Sequence, residues 1–153
     1  RHPQRFDEVA ALVAARGLRM QRRSENVALR AETQVLLGDS MGEMFTYYAA
    51  SDIAFIGGSL LDYGSQNLIE ACVVGVPLLL GPSTYNFAEA AEAALVCGAA
   101  RRIKHAEDVF NEAARLLGDA PMRERMGDAG KAFAGAHRGA SHRILELIEK
   151  FLS

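Results

Sequence analysis

The sequence predicts an α/β fold built on a doubly wound parallel sheet. Three observations predict it. Short apolar runs at residues 53–56 and 77–80 are closed by glycine or Gly-Pro, as in strands buried on both faces. A helix-like segment joins those two runs, which makes a βαβ unit. Helical and strand patterns then alternate along most of the chain.

The elements follow in order. Residues 5–16 predict a helix: Phe6, Val9, Leu12 and Val13 share one face, and Gly17 stands at the stop position. Residues 18–22 predict a short or exposed strand. Residues 23–33 are polar and predict a loop, with a weak strand at 27–29. Residues 33–37 predict a better strand, closed by Gly38, and a helix follows over 44–50. The central unit runs from Asp52 to Phe87: strand, glycine loop, a helix opening at Gly64-Ser65-Gln66-Asn67 and ending at Gly75, then a strand ending at Gly81-Pro82. Asn86 is placed to cap a helix to about Val96. Residues 99–103 predict an edge strand. Val109, Phe110, Ala113, Leu116 and Leu117 form the stripe of a helix over 107–117. Pro121 opens a helix to about Ala136, and residues 141–152 predict a last amphipathic helix.

The chain has 153 residues, half of them apolar, enough for one domain with a substantial core. A net charge of −2 gives no support for nucleic-acid binding. No apolar run approaches the ~20 residues of a membrane span, and no signal peptide is visible. Cys72 and Cys97 have no CxxC spacing and are expected as buried free thiols in a reducing compartment. The chain opens on Arg1-His2-Pro3, which reads as the continuation of an earlier segment, with a strand or more expected upstream.

Three loops have the composition of a phosphate or nucleotide site. Gly38-Asp39-Ser40-Met41-Gly42-Glu43 stands between a strand and a helix, where backbone N–H groups and a helix start attract an anion; an ordinary βα turn has the same composition. Gly57-Gly58-Ser59 allows close approach of a ligand to the backbone, or only a tight turn. Gly64-Ser65-Gln66-Asn67 opens a helix whose dipole suits a phosphate. Glu70 is placed to accept from ribose hydroxyls or to complement that dipole. Residues 83–86 form a third wall or a helix cap. Neither the G-x-G-x-x-G nor the Walker spacing is present. There is no Asp-x-Asp, no legible nucleophile–base pair, and His2, His105, His137 and His142 are scattered. Arg101, Arg102 and Lys104 read as a solvated basic face. No cofactor and no metal are expected.

Several of these segments together resemble the 3-deoxy-D-manno-octulosonic acid (Kdo) transferase family. Arg1-His2-Pro3-Gln4-Arg5-Phe6 is similar to its Arg-His-Pro-Glu-Arg-Phe, and Gly38 to Glu43 to its Gly-Asp-[Ser/Thr]-Met-Gly-Glu. Ile56-Gly57-Gly58-Ser59-Leu60 and Gly81-Pro82 through Asn86-Phe87 match as well. The departures are central: Gly64-Ser65-Gln66-Asn67-Leu68-Ile69-Glu70-Ala71 stands where the family reads Gly-Gly-His-Asn-Pro-Leu-Glu-Pro. Gln66 and Ser83 each replace a histidine, and Gln66 cannot carry a positive charge.

The resemblance implies a Rossmann-like domain, the C-terminal, donor-binding half of a two-domain GT-B glycosyltransferase. It implies CMP-Kdo as donor, lipid A precursor as acceptor, and a place on the cytoplasmic face of the inner membrane. The acceptor site, general base and membrane anchor would belong to an N-terminal half, without which this domain would be inactive. The expected donor-binding residues are Arg1, Ser40, Met41, Gly42, Glu43, Gly57, Gly58, Ser59, Ser65, Gln66, Asn67 and Glu70. Arg1 would face the donor's phosphate or carboxylate, and no residue of this domain is expected to be catalytic. A GT-B transferase using a UDP-sugar and a non-catalytic sugar-nucleotide-binding or interaction domain are the alternatives.

Overall fold

The computed structural model describes residues 3–152, with side chains described through Ala136. These residues form two compact units, one reaching to Met44 and one starting at Phe45. Each carries its own parallel sheet.

In the first unit a 3-10 turn, Pro3–Arg5, leads into α1 (Phe6–Ala15). Asp7 and Glu8 lie in its first turn, where negative charge complements the helix dipole. Gly17 ends it as expected, its N–H donating to the Ala14 carbonyl at 2.9 Å. The helix packs against β1 (Met20–Arg22) and β2 (Val35–Leu37). The two strands pair in parallel, Met20 opposite Val35 and Arg22 opposite Leu37. No strand forms at 27–29. Gln21 is the reason, because its fully buried amide takes the backbone groups a strand would use. Its Oε1 accepts from Arg30 N–H at 2.8 Å and from the Thr33 hydroxyl, and its Nε2 donates to the Ala28 carbonyl at 3.3 Å.

The second unit holds β3 (Ala54–Phe55), β4 (Leu78–Leu80) and β5 (Ala100–Arg102). All pair in parallel in the order β3-β4-β5, so β4 is central. Its three leucines are fully buried on alternating faces. Leu78 and Leu80 enter a cluster with Tyr48, Ala71, Cys72, Ala91 and Phe133. Leu79 enters another with Ile103, Leu116 and Met126. Each leucine contributes roughly 1.5–3 kcal/mol of burial, which is why an unbroken apolar run forms this strand.

Helices cover both faces. α2 (Met44–Ala49) supplies Tyr48 to the first cluster, and α3 (Ile69–Val74) and α4 (Ala88–Val96) pack there as well. α5 (Ala106–Leu117) brings Leu116 to the second. α6 (Ala120–Leu152) reaches both, through Phe133 and Met126. It is one helix where the sequence predicts two. A single interior glycine costs a helix only about 1 kcal/mol, and no proline interrupts residues 137–141. Asp119 starts it, accepting from Met122 N–H at 2.9 Å. Small residues let α6 approach α3: a Cβ on Gly130 would lie 3.4 Å from the Cys72 Cα, and one on Gly127 would strike the Gly75 carbonyl.

Three further expectations change. α3 starts at Ile69 rather than at 65–67 and has six residues. Asn86 does not cap α4; a 3-10 turn, Tyr85–Phe87, precedes that helix. Cys97 is exposed, since it follows the last turn of α4 rather than lying inside it. The amphipathic face expected over 141–152, His137 and His142 lie outside the described side chains.

Candidate functional site

The loops that follow β3, β4 and β5 leave the carboxyl ends of parallel strands, where open α/β sheets bind ligands. In the second unit several side chains join the loops after β3 and β4, and Ser59 is the buried one. The buried Ser59 hydroxyl donates to the Ile56 carbonyl at 2.5 Å and accepts from Gly81 N–H at 2.9 Å. Its carbonyl accepts from Ser83 N–H, also at 2.9 Å. Gly81 has no room for a side chain, because a Cβ would collide with that carbonyl and stand 2.6 Å from Leu60 N. Ser59 is thus placed within the expected site, but its polar groups hold the two loops together.

Within the β3 loop, Gly58 has φ +82°, and a Cβ there would stand 2.6 Å from the Gly64 carbonyl. Only glycine meets both conditions without strain. Gln66 N–H donates to the Gly57 carbonyl at 3.1 Å. Gly64, at φ +71°, has the Tyr85 ring and the Asn86 amide against its Cα. Gly64 N–H donates to Ser83 Oγ at 3.2 Å, and Asn86 Nδ2 donates to the Tyr63 carbonyl at 3.2 Å. Asn86 is therefore a latch between the two loops rather than a helix cap. The Ser83 hydroxyl faces Asp62 Oδ1 at 3.4 Å.

The expected helix-start site is altered. Asn67 Oδ1 accepts from Ile69 N–H at 3.0 Å, so the first N–H of α3 is occupied. Asn67 Nδ2 donates to Glu70 Oε1 at 2.9 Å. Glu70 Oε2 has no protein partner among the described residues. Ser65 is 2% exposed, and its hydroxyl is buried without a partner. Gly57, by contrast, is exposed, with nothing within 4 Å of where a Cβ would be. Gly57, Gly58, Ser59, Ser65, Gln66, Asn67 and Glu70 are thus brought together, with an open backbone at one end and a half-free carboxylate at the other.

One residue of this region is not legible as part of it in the sequence. Arg102, at the end of β5, donates through Nη1 to the Gly81 carbonyl at 2.8 Å and to Thr84 Oγ1 at 3.3 Å. Its Nη2 pairs with Glu92. The only signal was the cluster Arg101-Arg102-Ile103-Lys104 at a strand's carboxyl end.

The other predicted residues belong to the first unit. There the loop after β2 meets the turn after β1. Asp39 Oδ1 accepts from Ser24 N–H at 2.8 Å, and Oδ2 accepts from the Ser24 hydroxyl at 2.6 Å. Arg22 lies 3.7 Å from the same carboxylate, whose side chain is 4% exposed. The Ser24 hydroxyl bond, with smaller help from Arg22, holds the Asp39 carboxyl below the usual range. Arg22 also pairs with Asp7 at 2.6 Å, which raises its own pKa. Glu43 pairs with Arg23 at 2.8 Å and accepts from the Ser40 hydroxyl. Met41 and Gly42 are exposed, Gly42 at φ +81°. Arg1 lies outside the described residues. Among the described residues no group of three or more His, Cys, Asp or Glu stands close enough to hold a metal.

Comparison with known proteins adds three findings. Residues 14–133 match the family described as glycosyl transferases group 1. The chain is 46% identical to the 3-deoxy-D-manno-octulosonic acid transferase of Bordetella pertussis and 38% identical to that of Haemophilus influenzae. Each match covers 99% of this chain and 36% of the relative. The chain thus spans about a third of the length of the curated relatives it matches. Among solved structures, the C-terminal CMP-Kdo binding domain of WaaA from Acinetobacter baumannii is 34% identical with a TM-score of 0.83, over 87% of this chain and 69% of that one.

Proposed function

The chain belongs to the glycosyl transferases group 1 family, and on that premise we propose that it is the donor-binding domain of a Kdo transferase, taking CMP-Kdo as donor. The observation that carries this reading is the stitched pair of loops at the carboxyl ends of β3 and β4. They offer an exposed Gly57 backbone and a Glu70 carboxylate with one oxygen open. The likeness to the A. baumannii CMP-Kdo binding domain and to the B. pertussis transferase supports it.

In this reading Glu70 accepts from a ribose hydroxyl, and Asn67 sets the direction of that carboxylate. Gly57 and Gly58 let the nucleotide approach the main chain. Transfer breaks the bond between the Kdo anomeric carbon and the phosphate oxygen, and CMP leaves with the electron pair. A new bond forms from an acceptor hydroxyl oxygen to that carbon, and a base takes the hydroxyl proton. Acceptor binding, with lipid A precursor as acceptor, and the base are assigned to the remainder of the protein, as is attachment to the inner membrane's cytoplasmic face. Among the described residues no helix is long and apolar enough to cross a membrane.

Titration with CMP and with UMP, followed by backbone NMR, tests this. CMP is expected to bind more tightly and to shift resonances at 57–70 and 81–86. Tighter binding of UMP favours a UDP-sugar donor, and shifts confined to other regions overturn the site.

A further inference from the structure

We propose that Arg102 is a positioning residue for the donor loops: its guanidinium holds the segment Gly81–Thr84 so that Ser83 Oγ accepts the Gly64 N–H, which sets the β3 loop. This rests on the donor reading for its consequence, but not for its mechanics. Arg102 ends the edge strand β5, and its neighbour is fixed in the ladder by Ile103 N–H donating to the Leu80 carbonyl at 2.8 Å. Its side chain then reaches across the end of β4. There one guanidinium nitrogen engages both the Gly81 carbonyl and the Thr84 hydroxyl. Glu92, one turn into α4, pairs with another nitrogen from the solvent side. Gly81 and Thr84 bracket Ser83, whose N–H is tied to Ser59 and whose hydroxyl receives Gly64 N–H at 3.2 Å.

The chemistry asks for arginine. A planar guanidinium presents several donors in a fixed geometry, whereas a lysine ammonium is a point charge on a flexible stem. A lysine ammonium has donors enough for both acceptors, but it fixes their directions less well. The guanidinium is half-buried, so its hydrogen bonds compete less with water than those of a surface pair. Glu92 is mostly exposed, and its contribution is correspondingly small.

Two measurements on Arg102→Gln decide the matter. Without ligand, amide hydrogen exchange at Gly64 is expected to speed up by about tenfold or more, while amides of β4 and α3 keep wild-type rates. With ligand, the Kd for CMP is expected to rise by about tenfold. Arg102→Lys should show the same local acceleration to a smaller degree, and it serves if Arg102→Gln fails to fold. Glu92→Gln should leave CMP affinity within about twofold. Unchanged Gly64 exchange in a folded variant overturns the proposal, as does a uniform acceleration of every amide, which marks a merely structural arginine. If wild-type protein does not bind CMP, the donor reading fails, and the exchange measurement still decides the role of Arg102.

Discussion

Asn67 donates through its side-chain amide to Glu70 Oε1 at 2.9 Å, while its own carbonyl accepts the Ile69 N–H at 3.0 Å. One side chain therefore starts α3 and aims a carboxylate at the same time. That arrangement separates two roles a sequence confounds at this spacing: complementing the helix dipole and holding a ligand.

Glu70→Ala is expected to weaken CMP binding by about 1–3 kcal/mol, the cost of leaving a ribose hydroxyl without its charged acceptor. Calorimetric titration measures it. Asn67→Ala should cost about 1 kcal/mol of folding stability as well, because it removes the bond to Ile69 N–H. Unchanged CMP affinity in Glu70→Ala would reduce Glu70 to a helix-start charge.

Gly81→Ala should be among the most damaging single-methyl additions in the chain. The new Cβ meets main-chain atoms of Ser59 and Leu60, which cannot give way without breaking the stitch between the loops. A loss of about 1–3 kcal/mol or more is expected in urea unfolding. Gly57→Ala meets nothing within 4 Å and should unfold within about 0.5 kcal/mol of wild type.

Acid unfolding should depend on Asp39. Its folded-state pKa lies below the usual 3.8, so its contribution is present above that value and is lost as pH falls from 3.8 through the lower folded value. The slope of the urea midpoint against pH in that window should flatten in Asp39→Asn. Ser24→Ala removes the largest cause of the shift and should move the loss to higher pH. A wild-type profile in both variants would rule out a contribution from Asp39.

The two thiols should behave differently. Burial pushes the Cys72 pKa up to about 12, and Cys97 is exposed. A disulfide-exchange reagent at pH 8 should modify Cys97 quickly and Cys72 only on unfolding. The raised Cys72 value also implies stability present below pH 9.0 and lost as pH rises from there toward 12. Two fast thiols in native protein would contradict the placement of Cys72.

Gln21→Ala leaves Arg30 N–H and the Thr33 hydroxyl without their buried acceptor. At these part-buried positions each lost bond is expected to cost about 0.5–1.5 kcal/mol. Faster amide exchange at Arg30, with residues 23–33 released from their fixed path, is the expected readout.

Much of the fold was legible because its signals are local. The run Leu78–Leu80 reads as a strand buried on both faces, and that is where it lies. The stripe of Val109, Phe110, Ala113, Leu116 and Leu117 reads as a helix, and α5 forms there, although Phe110 and Leu117 are exposed rather than on its buried face. Gly17 and Gly75 stop α1 and α3 as expected. What failed to read was side-chain capture of the backbone. A glutamine in β1 decides that 27–29 is a loop, and Asn86 spends its amide on Tyr63 rather than on its own helix. Neither bond leaves a mark in periodicity.

By itself the sequence determined the α/β class, most of the order of the elements and the loops worth examining. Apolar period, glycine position and charge act between near neighbours in the chain, so they survive in one dimension. Tertiary structure alone decided which polar atoms of those loops are already engaged. The Ser59–Gly81, Gly64–Ser83 and Arg102–Gly81 bonds join residues 22, 19 and 21 positions apart. Such bonds form only once parallel strands bring their carboxyl ends together. A buried donor's partner is then set by distance in space, which sequence spacing does not encode.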